Sequence, residues 1–273
     1  MKTLEMRENT GVPYLAFPLL EGTGMVIHAF STRQGGVSQN EFAAMNFASN
    51  RGDDPALVQE NYRRMAVALG VTPEQMVLSQ QTHTTNLRVV SAEDAGKGVT
   101  RERDYMDIDG LVTNVPGLVL VTSYADCVPL YFVDPVNKAV GLSHSGWKGT
   151  VGRIGEVTIQ KMQELYGSDP GDILACIGPS ICRDCYEVSQ DVAEKFQEIF
   201  PRALWERIMD DKGKGKYQLD LWESNRLILL EAGILEEHLA VTDLCTCCNP
   251  ELLFSHRATQ GKRGNLAAFL GLR

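Results

Sequence analysis

Two long apolar runs, GLVLVTSYADCVPLYFVD and KAVGLSHS, are joined through the tetrapeptide DPVN, and no other stretch limits the fold as much. Runs rich in valine, leucine and aromatic residues, separated by turn residues, form paired strands. Asp134 suits the first position of a turn, Pro135 the second, and Asn137 tolerates unusual backbone angles. With Pro135 and Val136 as a two-residue loop, Asp134 faces Asn137. Counting outward in that register, Cys127 faces His144. Directly opposed residues on one sheet face have Cβ atoms about 5 Å apart, so a thiolate and an imidazole can share a ligand. A slip of one residue would place them on opposite faces.

Around this hairpin the chain reads as an α+β fold. DDPALVQENYRRMAVALG is a helix, capped by Asp53 or Asp54, with Pro55 in its first turn and Gly70 at its end. Strands are expected in QMVLSQQTH, NLRVVSA, DGLVTN and DILACIGPSI. TVGRIGEVTIQKMQELYG, SQDVAEKFQEIF and DLWESNRLILLEAG read as helices, and the C-terminal LAVTDLCTCCNPELLFSHRATQGKRGNLAAFLGLR as strands and loops. Hairpin-linked strands early and helices in a later group favour α+β over a regularly alternating parallel α/β fold. No segment has the composition of a linker, so residues 1–273 are read as one domain.

The chain has 273 residues and a formal charge of -9. An acidic balance argues against a nucleic-acid polymer as partner, because phosphate contacts need clustered Lys and Arg. A small molecule, neutral or carrying one phosphate, is compatible with it. The apolar runs are too short and too polar to span a bilayer. The N-terminus lacks an uninterrupted signal-peptide core, so a cytoplasmic protein without a membrane partner is expected. In a reducing compartment the seven cysteines are buried, metal-bound or reactive rather than paired. Cys176, inside ILACIGP, is expected in the core. The CxxC of Cys182 and Cys185 fits half of a zinc site, but CTCC is not a tidy second half, which favours buried thiols there.

Cys127 and His144 call for a third ligand. His83, at the end of a strand in SQQTHTTN, is the candidate. His28 lies inside the apolar run MVIHAF, His238 at a polar helix end and His256 in a strand-like LLFSHR. A His-Cys-His set with one open position suits zinc, which takes tetrahedral N/S ligands and activates a bound oxygen. Copper also accepts such ligands. Two other readings keep the residues: an ordinary strand pair, or a metal-free hydrolase in which His144 activates Cys127 as nucleophile.

Taken in order, HAFSTRQGGVS with MNFA, QQTH, DGLVT, ADCVPLYFVDP, HSGWKGT, IGPSICRDCYEV and CTCCNPELLFSHR resemble the laccase-domain family of bacterial purine nucleoside phosphorylases, long named multicopper polyphenol oxidases. The resemblance runs from about Ile27 to the C-terminus. It implies a metal triad of His83, Cys127 and His144 that is also catalytic, with zinc as the expected metal and copper-dependent oxidation of phenols as the older claim. It further implies phosphorolysis of adenosine, inosine and methylthioadenosine, deamination of adenosine, and a central β-sandwich flanked by helices, distantly like Cys-His toxin deamidases. One departure is ICRDCYEV, in which two residues separate cysteines that are commonly adjacent in the family. Five histidines are too few for the ligand set of a true multicopper oxidase.

Phosphorolysis needs a phosphate held against the anomeric carbon, which nominates basic residues beside glycines. Arg33, followed by Gly35 and Gly36, is one candidate, and Lys148, followed by Gly149, is another. Arg153 is a further phosphate candidate, and Asn46 a candidate for ribose or base. Trp147 and Tyr124 can stack on a purine or pack in the core. Asp109 can orient a ligand histidine or form the turn before Gly110.

Overall fold

The computed structural model describes residues 3–273. Its strands are β1 (Glu5–Asn9), β2 (Val12–Ala16), β3 (Val26–Ser31), β4 (Met76–Leu78) and β5 (Leu87–Val89). Then come β6 (Gly110–Thr113), β7 (Val119–Tyr124), β8 (Val128–Asp134), β9 (Ala139–Ser145) and β10 (Leu174–Ile177). The last five are β11 (Glu187–Ser189), β12 (Met209–Gly213), β13 (Lys216–Leu219), β14 (Leu239–Val241) and β15 (Leu266–Leu272). The helices are α1 (Pro18–Glu21), α2 (Pro55–Leu69), α3 (Trp147–Val151) and α4 (Ile154–Tyr166). They continue with α5 (Gln190–Ile199), α6 (Trp205–Ile208), α7 (Leu221–Glu231) and α8 (His256–Thr259).

The strands build two six-stranded sheets and a small third one. The first runs β1-β2-β3-β15-β7-β4, the second β14-β10-β8-β9-β6-β5 and the third β11-β13-β12. Most neighbours are antiparallel, but β4 with β7, β5 with β6 and β10 with β14 are parallel. The fold is α+β with mixed sheets and flanking helices.

Side-chain alternation sorts the core into layers. Tyr131, Val133, Val140 and Leu142 of the second sheet meet Leu120, Leu266 and Leu270 of the first in one cluster. The opposite faces of β7 and β15, through Val119, Val121 and Phe269, cover Val58, Tyr62 and Met65 of α2. The outer face of β8, through Val128, Leu130 and Phe132, packs on Ile159 of α4, Phe196 of α5 and Ile228 of α7. Strands buried on both faces must be apolar at successive positions, which is why β8 and β9 read as continuous runs. Each such Leu, Ile or Phe contributes about 1.5–3 kcal/mol by leaving water.

Local chemistry explains the element ends. The Asp54 carboxylate accepts from the Ala56 amide, Pro55 opens α2, and Gly70 closes it in the left-handed conformation at φ 71°. The helix expected from Thr150 to Gly167 is instead two, α3 and α4, separated where Arg153 takes a positive φ of 57°.

The hairpin register differs from the expected one. Asp134 pairs with Ala139, so the loop holds residues 135–138 rather than two, and His144 faces Pro129. The Asp134 carboxylate causes this by accepting the amides of Val136 and Asn137 and the Asn137 side-chain amide, with Lys138 left-handed at φ 53°. The shift is by two residues, so side chains keep their faces. Cys127 consequently lies just before β8, outside the ladder. Among the described residues no helix is long and apolar enough to cross a membrane.

Candidate metal centre and cavity

One donor atom each from His83, Cys127 and His144 lies within 4.8 Å of the others. The three arrive by different routes. His144 is the penultimate residue of β9 and is 3% exposed. Cys127 ends the turn between β7 and β8. His83 sits in an irregular segment after β4, with its backbone at φ 66°. The Cys127 sulfur is 4.0 Å from His83 Nε2, and the two imidazoles meet edge to face at 5.0 Å.

Asp109 ties the two histidines together from below. It immediately precedes β6, which pairs with β9, and its carbonyl accepts from the His144 amide at 2.8 Å. Its carboxylate accepts from His144 Nδ1 at 2.8 Å and from the backbone amides of Thr82, His83 and Thr84 at 2.9, 3.0 and 2.9 Å. Those amides hold the positive φ of His83, which an ordinary residue avoids. With Nδ1 donating to a carboxylate, His144 keeps Nε2 for Cys127 or a metal.

Electrostatics follow from this geometry. Burial alone would raise the Asp109 carboxyl, but the hydrogen bonds from His144, Thr84 and Thr82 hold it at about 2. Burial also opposes ionisation of Cys127, yet the adjoining His144, with help from His83, lowers its thiol to about 6. The reciprocal effect raises His144 to about 9 against its burial, through Cys127 and Asp109. Without a metal, these opposite shifts favour thiolate and imidazolium at neutral pH.

Two glycines make room. A Cβ on Gly146 would stand 3.0 Å from both the Cys127 sulfur and His83 Cδ2, and one on Gly110 would meet Ser143 Oγ at 2.5 Å. Asp126, at φ 83°, fixes the approach to Cys127. Its carboxylate accepts from Thr246 Oγ1 and from the Arg257 amide, both at 2.7 Å, and its carbonyl from the Ile181 amide at 3.0 Å.

The three donors open onto a cavity of about 710 Å³. Its walls include Arg51, Arg103, Arg257, Arg263 and His256. Arg263 is 7% exposed, and its Nε has no partner among the described residues. Burial first, then the nearby Arg51 charge, lowers Arg263 to about 10. A second lobe of about 230 Å³ shares His83 and Cys127 and adds Trp147, Lys148, Tyr186 and Leu221.

The other residues nominated by sequence fall in different places. Lys148 lines the smaller lobe, with Nζ 5.6 Å from the Trp147 ring centre. Arg33 donates to the carbonyls of Ala43 and Pro250 and stacks 4.6 Å over Phe254. Asn46 is fully buried, bonded to Asp53, Ala48 and the Asn265 amide. Arg153 pairs with Glu156 and Glu231. Arg33, Asn46 and Arg153 are not among the residues lining either lobe. Tyr124 is buried against His144 at 5.4 Å, with its hydroxyl on Thr122 and the Ser143 carbonyl.

Of the alternative histidines, His28 is buried, with Nε2 accepting the Phe17 amide, and burial lowers it to about 4. The cationic wall went unread in the sequence, because its members lie in loops or in the single-turn helix α8, too short to carry a periodicity. A second cluster, of four cysteines, also has the geometry to hold a metal ion.

Fold and site together define an α+β protein of three sheets, with a His-Cys-His cluster in the lining of an arginine-rich cavity. Residues 27–273 match the family described as multi-copper polyphenol oxidoreductase laccase, and the chain belongs to that family. It is 39% identical to purine nucleoside phosphorylase YlmD of Bacillus subtilis strain 168, over 91% of this chain and 89% of that one. It is 33% identical to adenosine deaminase RL5 from an unidentified prokaryote, over 85% and 88% of the two chains. The crystal structure of YlmD from Geobacillus stearothermophilus superimposes with a TM-score of 0.91 at 35% identity, spanning 100% of both chains.

Proposed function

We propose that the protein is a purine nucleoside phosphorylase that also deaminates adenosine, acting at His83, Cys127 and His144. The observation that carries this reading is the convergence of the three donors on one cavity that Arg51, Arg103, Arg257 and Arg263 also line. The names of the relatives in Bacillus subtilis and the unidentified prokaryote support both activities.

The donor set fits zinc: two imidazoles and a thiolate in mutual reach, with one histidine already oriented by a carboxylate. A zinc ion held by His83, Cys127 and His144 would supply Lewis acidity and an open coordination position. The chain's own residues do the rest. Arg263, Arg51 and His256 hold the phosphate, whose oxygen attacks the anomeric carbon as the bond to the purine nitrogen breaks. Positive charge on the ribose is met by the bound phosphate. Tyr186 and Trp147, which line the smaller lobe with Lys148, flank the base and exclude water. In the absence of phosphate, a water in the same cavity attacks C6 of adenosine, and a proton passes from it to the amine, which departs as ammonia. The products expected are a free purine with ribose 1-phosphate, and inosine with ammonia.

A copper oxidoreductase acting on phenols is the reading that the family description suggests. Several coppers need more imidazoles than this site presents, since His28 is committed to the Phe17 amide. A metal-free hydrolase finds support in the thiolate–imidazolium pair of Cys127 and His144.

Incubation of the pure protein with adenosine, with and without phosphate, separates these readings. Adenine and ribose 1-phosphate should form only with phosphate, inosine in its absence, and Cys127→Ala should lose both. No nucleoside turnover with zinc present would refute the proposal. Full activity after exhaustive chelation would favour the metal-free hydrolase.

A further inference from the structure

Cys182, Cys185, Cys245 and Cys248 present sulfurs that all lie within 4.8 Å of one another. The spacing is two CxxC pairs, once Cys247 is set aside. Cys247 lies outside this set of four, although it packs against the same helix-side core as Cys182, Cys185 and Cys245. The two pairs come from separate loops, one after β10 and one after β14, and a parallel bridge between Ser180 and Cys245 aligns them. The Cys245 sulfur accepts the amides of Cys182 at 3.3 Å and Cys248 at 3.4 Å. Amide-to-sulfur bonds of this kind stabilise a thiolate.

Among the described residues all seven cysteines are free. The sulfurs of Cys185 and Cys248 are 3.4 Å apart, well beyond the roughly 2.05 Å of a disulfide. A tetrahedral ion with metal–sulfur bonds of about 2.3 Å sets its sulfurs about 3.8 Å apart. The observed cluster is compact enough for one such ion, whereas an iron–sulfur cluster, with several metals and bridging sulfides, spreads its cysteines wider.

We infer that these four cysteines form a second, structural metal site, a tetrathiolate holding one zinc ion that clamps the rim of the catalytic cavity. On binding, the thiols release their protons to solvent, and all four positions of the ion are filled, so no substrate reaches it. The site is independent of whatever His83, Cys127 and His144 do.

The clamp acts through the residues beside it. Ile181 and Tyr186, which flank the first CxxC, line the cavity. The Ile181 amide and the Thr246 hydroxyl, one from each loop, both bond Asp126 at 3.0 and 2.7 Å. Asp126 precedes Cys127 in the chain. The Arg257 guanidinium closes the arrangement by donating to the carbonyls of Cys185 and Glu187, at 3.1 and 2.9 Å, beneath the Tyr186 ring. Without the ion, nothing covalent would hold the two loops together around the turn that delivers Cys127.

Metal content of the protein as purified tests this. Wild type should carry one more zinc equivalent than Cys248→Ser, and Cys127→Ser should keep the equivalent that Cys248→Ser loses. With cobalt as probe, the charge-transfer absorption of a tetrathiolate should persist in Cys127→Ser and vanish in Cys248→Ser. Limited proteolysis should cut the loops at 178–189 and 242–250 faster in Cys248→Ser than in wild type. Should that variant fail to fold, the thiols of Cys127→Ser provide a second measurement: Cys182, Cys185, Cys245 and Cys248 should resist a thiol reagent until a chelator is added. Equal zinc in wild type and Cys248→Ser would overturn the inference. So would a Cys185–Cys248 disulfide in the purified protein, or four thiols that react freely without chelation.

Discussion

The Asp109 carboxylate lies 2.8 Å from His144 Nδ1 while also accepting the backbone amide of His83. One buried charge therefore sets the ring of one histidine and the main chain of the other. Losing it disturbs both at once.

Asp109→Asn keeps the size and removes the charge. One face of the amide cannot accept the amides of Thr82, His83 and Thr84 and receive His144 as the carboxylate does. Metal affinity should fall about 10–100-fold, as for other groups that orient a ligand histidine. Stability should fall by about 2–4 kcal/mol, because buried donors lose their partner. Zinc titration and denaturant unfolding read the two effects. Because the carboxyl is held at about 2, its contribution is present above its ordinary 3.8 and is lost as pH falls through about 2. The variant should lack that acid-side component.

Cys127 and His144 give the metal-free protein a pH window. The depressed thiol contributes stability that is present above its ordinary 9.0 and is lost as pH falls through about 6. The raised imidazole contributes stability that is complete below its ordinary 6.5 and is lost as pH rises through about 9. Both charges coexist between about 6 and 9. Iodoacetamide should accordingly alkylate Cys127 of the metal-free protein with a rate that rises through pH 6, and zinc should protect it. A rate that rises only near pH 9 would show that the pair is not formed.

Gly146 separates crowding from conformation. Its φ of -74° is open to any residue, so Gly146→Ala costs no backbone strain. The new methyl carbon would nevertheless stand 3.0 Å from the Cys127 sulfur and His83 Cδ2. Overpacking of this kind costs about 1–3 kcal/mol where neighbours cannot retreat. A fall in zinc affinity of about tenfold or more, with a melting temperature close to wild type once zinc is saturating, is expected from paired metal titration and calorimetry.

What the sequence disclosed divides along physical lines. Helix α2 was legible because Asp54, Pro55 and Gly70 mark both its ends locally. The two strands of the hairpin were legible from their apolar runs, but not their register. The Asp134 side chain organises a longer loop, an effect composed of bonds rather than residue types. Glycines near Arg33 suggested an anion cradle. In the structure a Cβ at Gly36 would meet the Ala44 carbonyl at 2.2 Å, and one at Gly35 the Gly11 carbonyl at 2.8 Å, so these glycines serve close backbone packing. The cavity arginines were invisible for the converse reason. Arg263 reaches the site only because β15 inserts between β3 and β7, a long-range pairing with no local mark.

Arg263 and Arg153 make a contrasting pair for the proposed phosphate step. Arg263 faces the cavity with a buried, unpartnered Nε, whereas Arg153 is engaged by Glu156 and Glu231. A charge-assisted bond to phosphate is worth about 1.5–3 kcal/mol, or roughly a 10–150-fold change in binding. Arg263→Met should raise the KM for phosphate by about that factor and leave the phosphate-independent deamination of adenosine much less affected. Because the guanidinium also donates to the Gly264 carbonyl and to Asn265 Oδ1, a modest loss of stability should accompany the change, read separately by denaturant unfolding. Arg153→Met should leave the phosphate KM within about twofold of wild type, since Arg153 is paired with Glu156 and Glu231 and does not line the cavity. Steady-state kinetics with phosphate and adenosine varied separately decide the matter. Equal effects of the two substitutions on phosphate would remove Arg263 from the site.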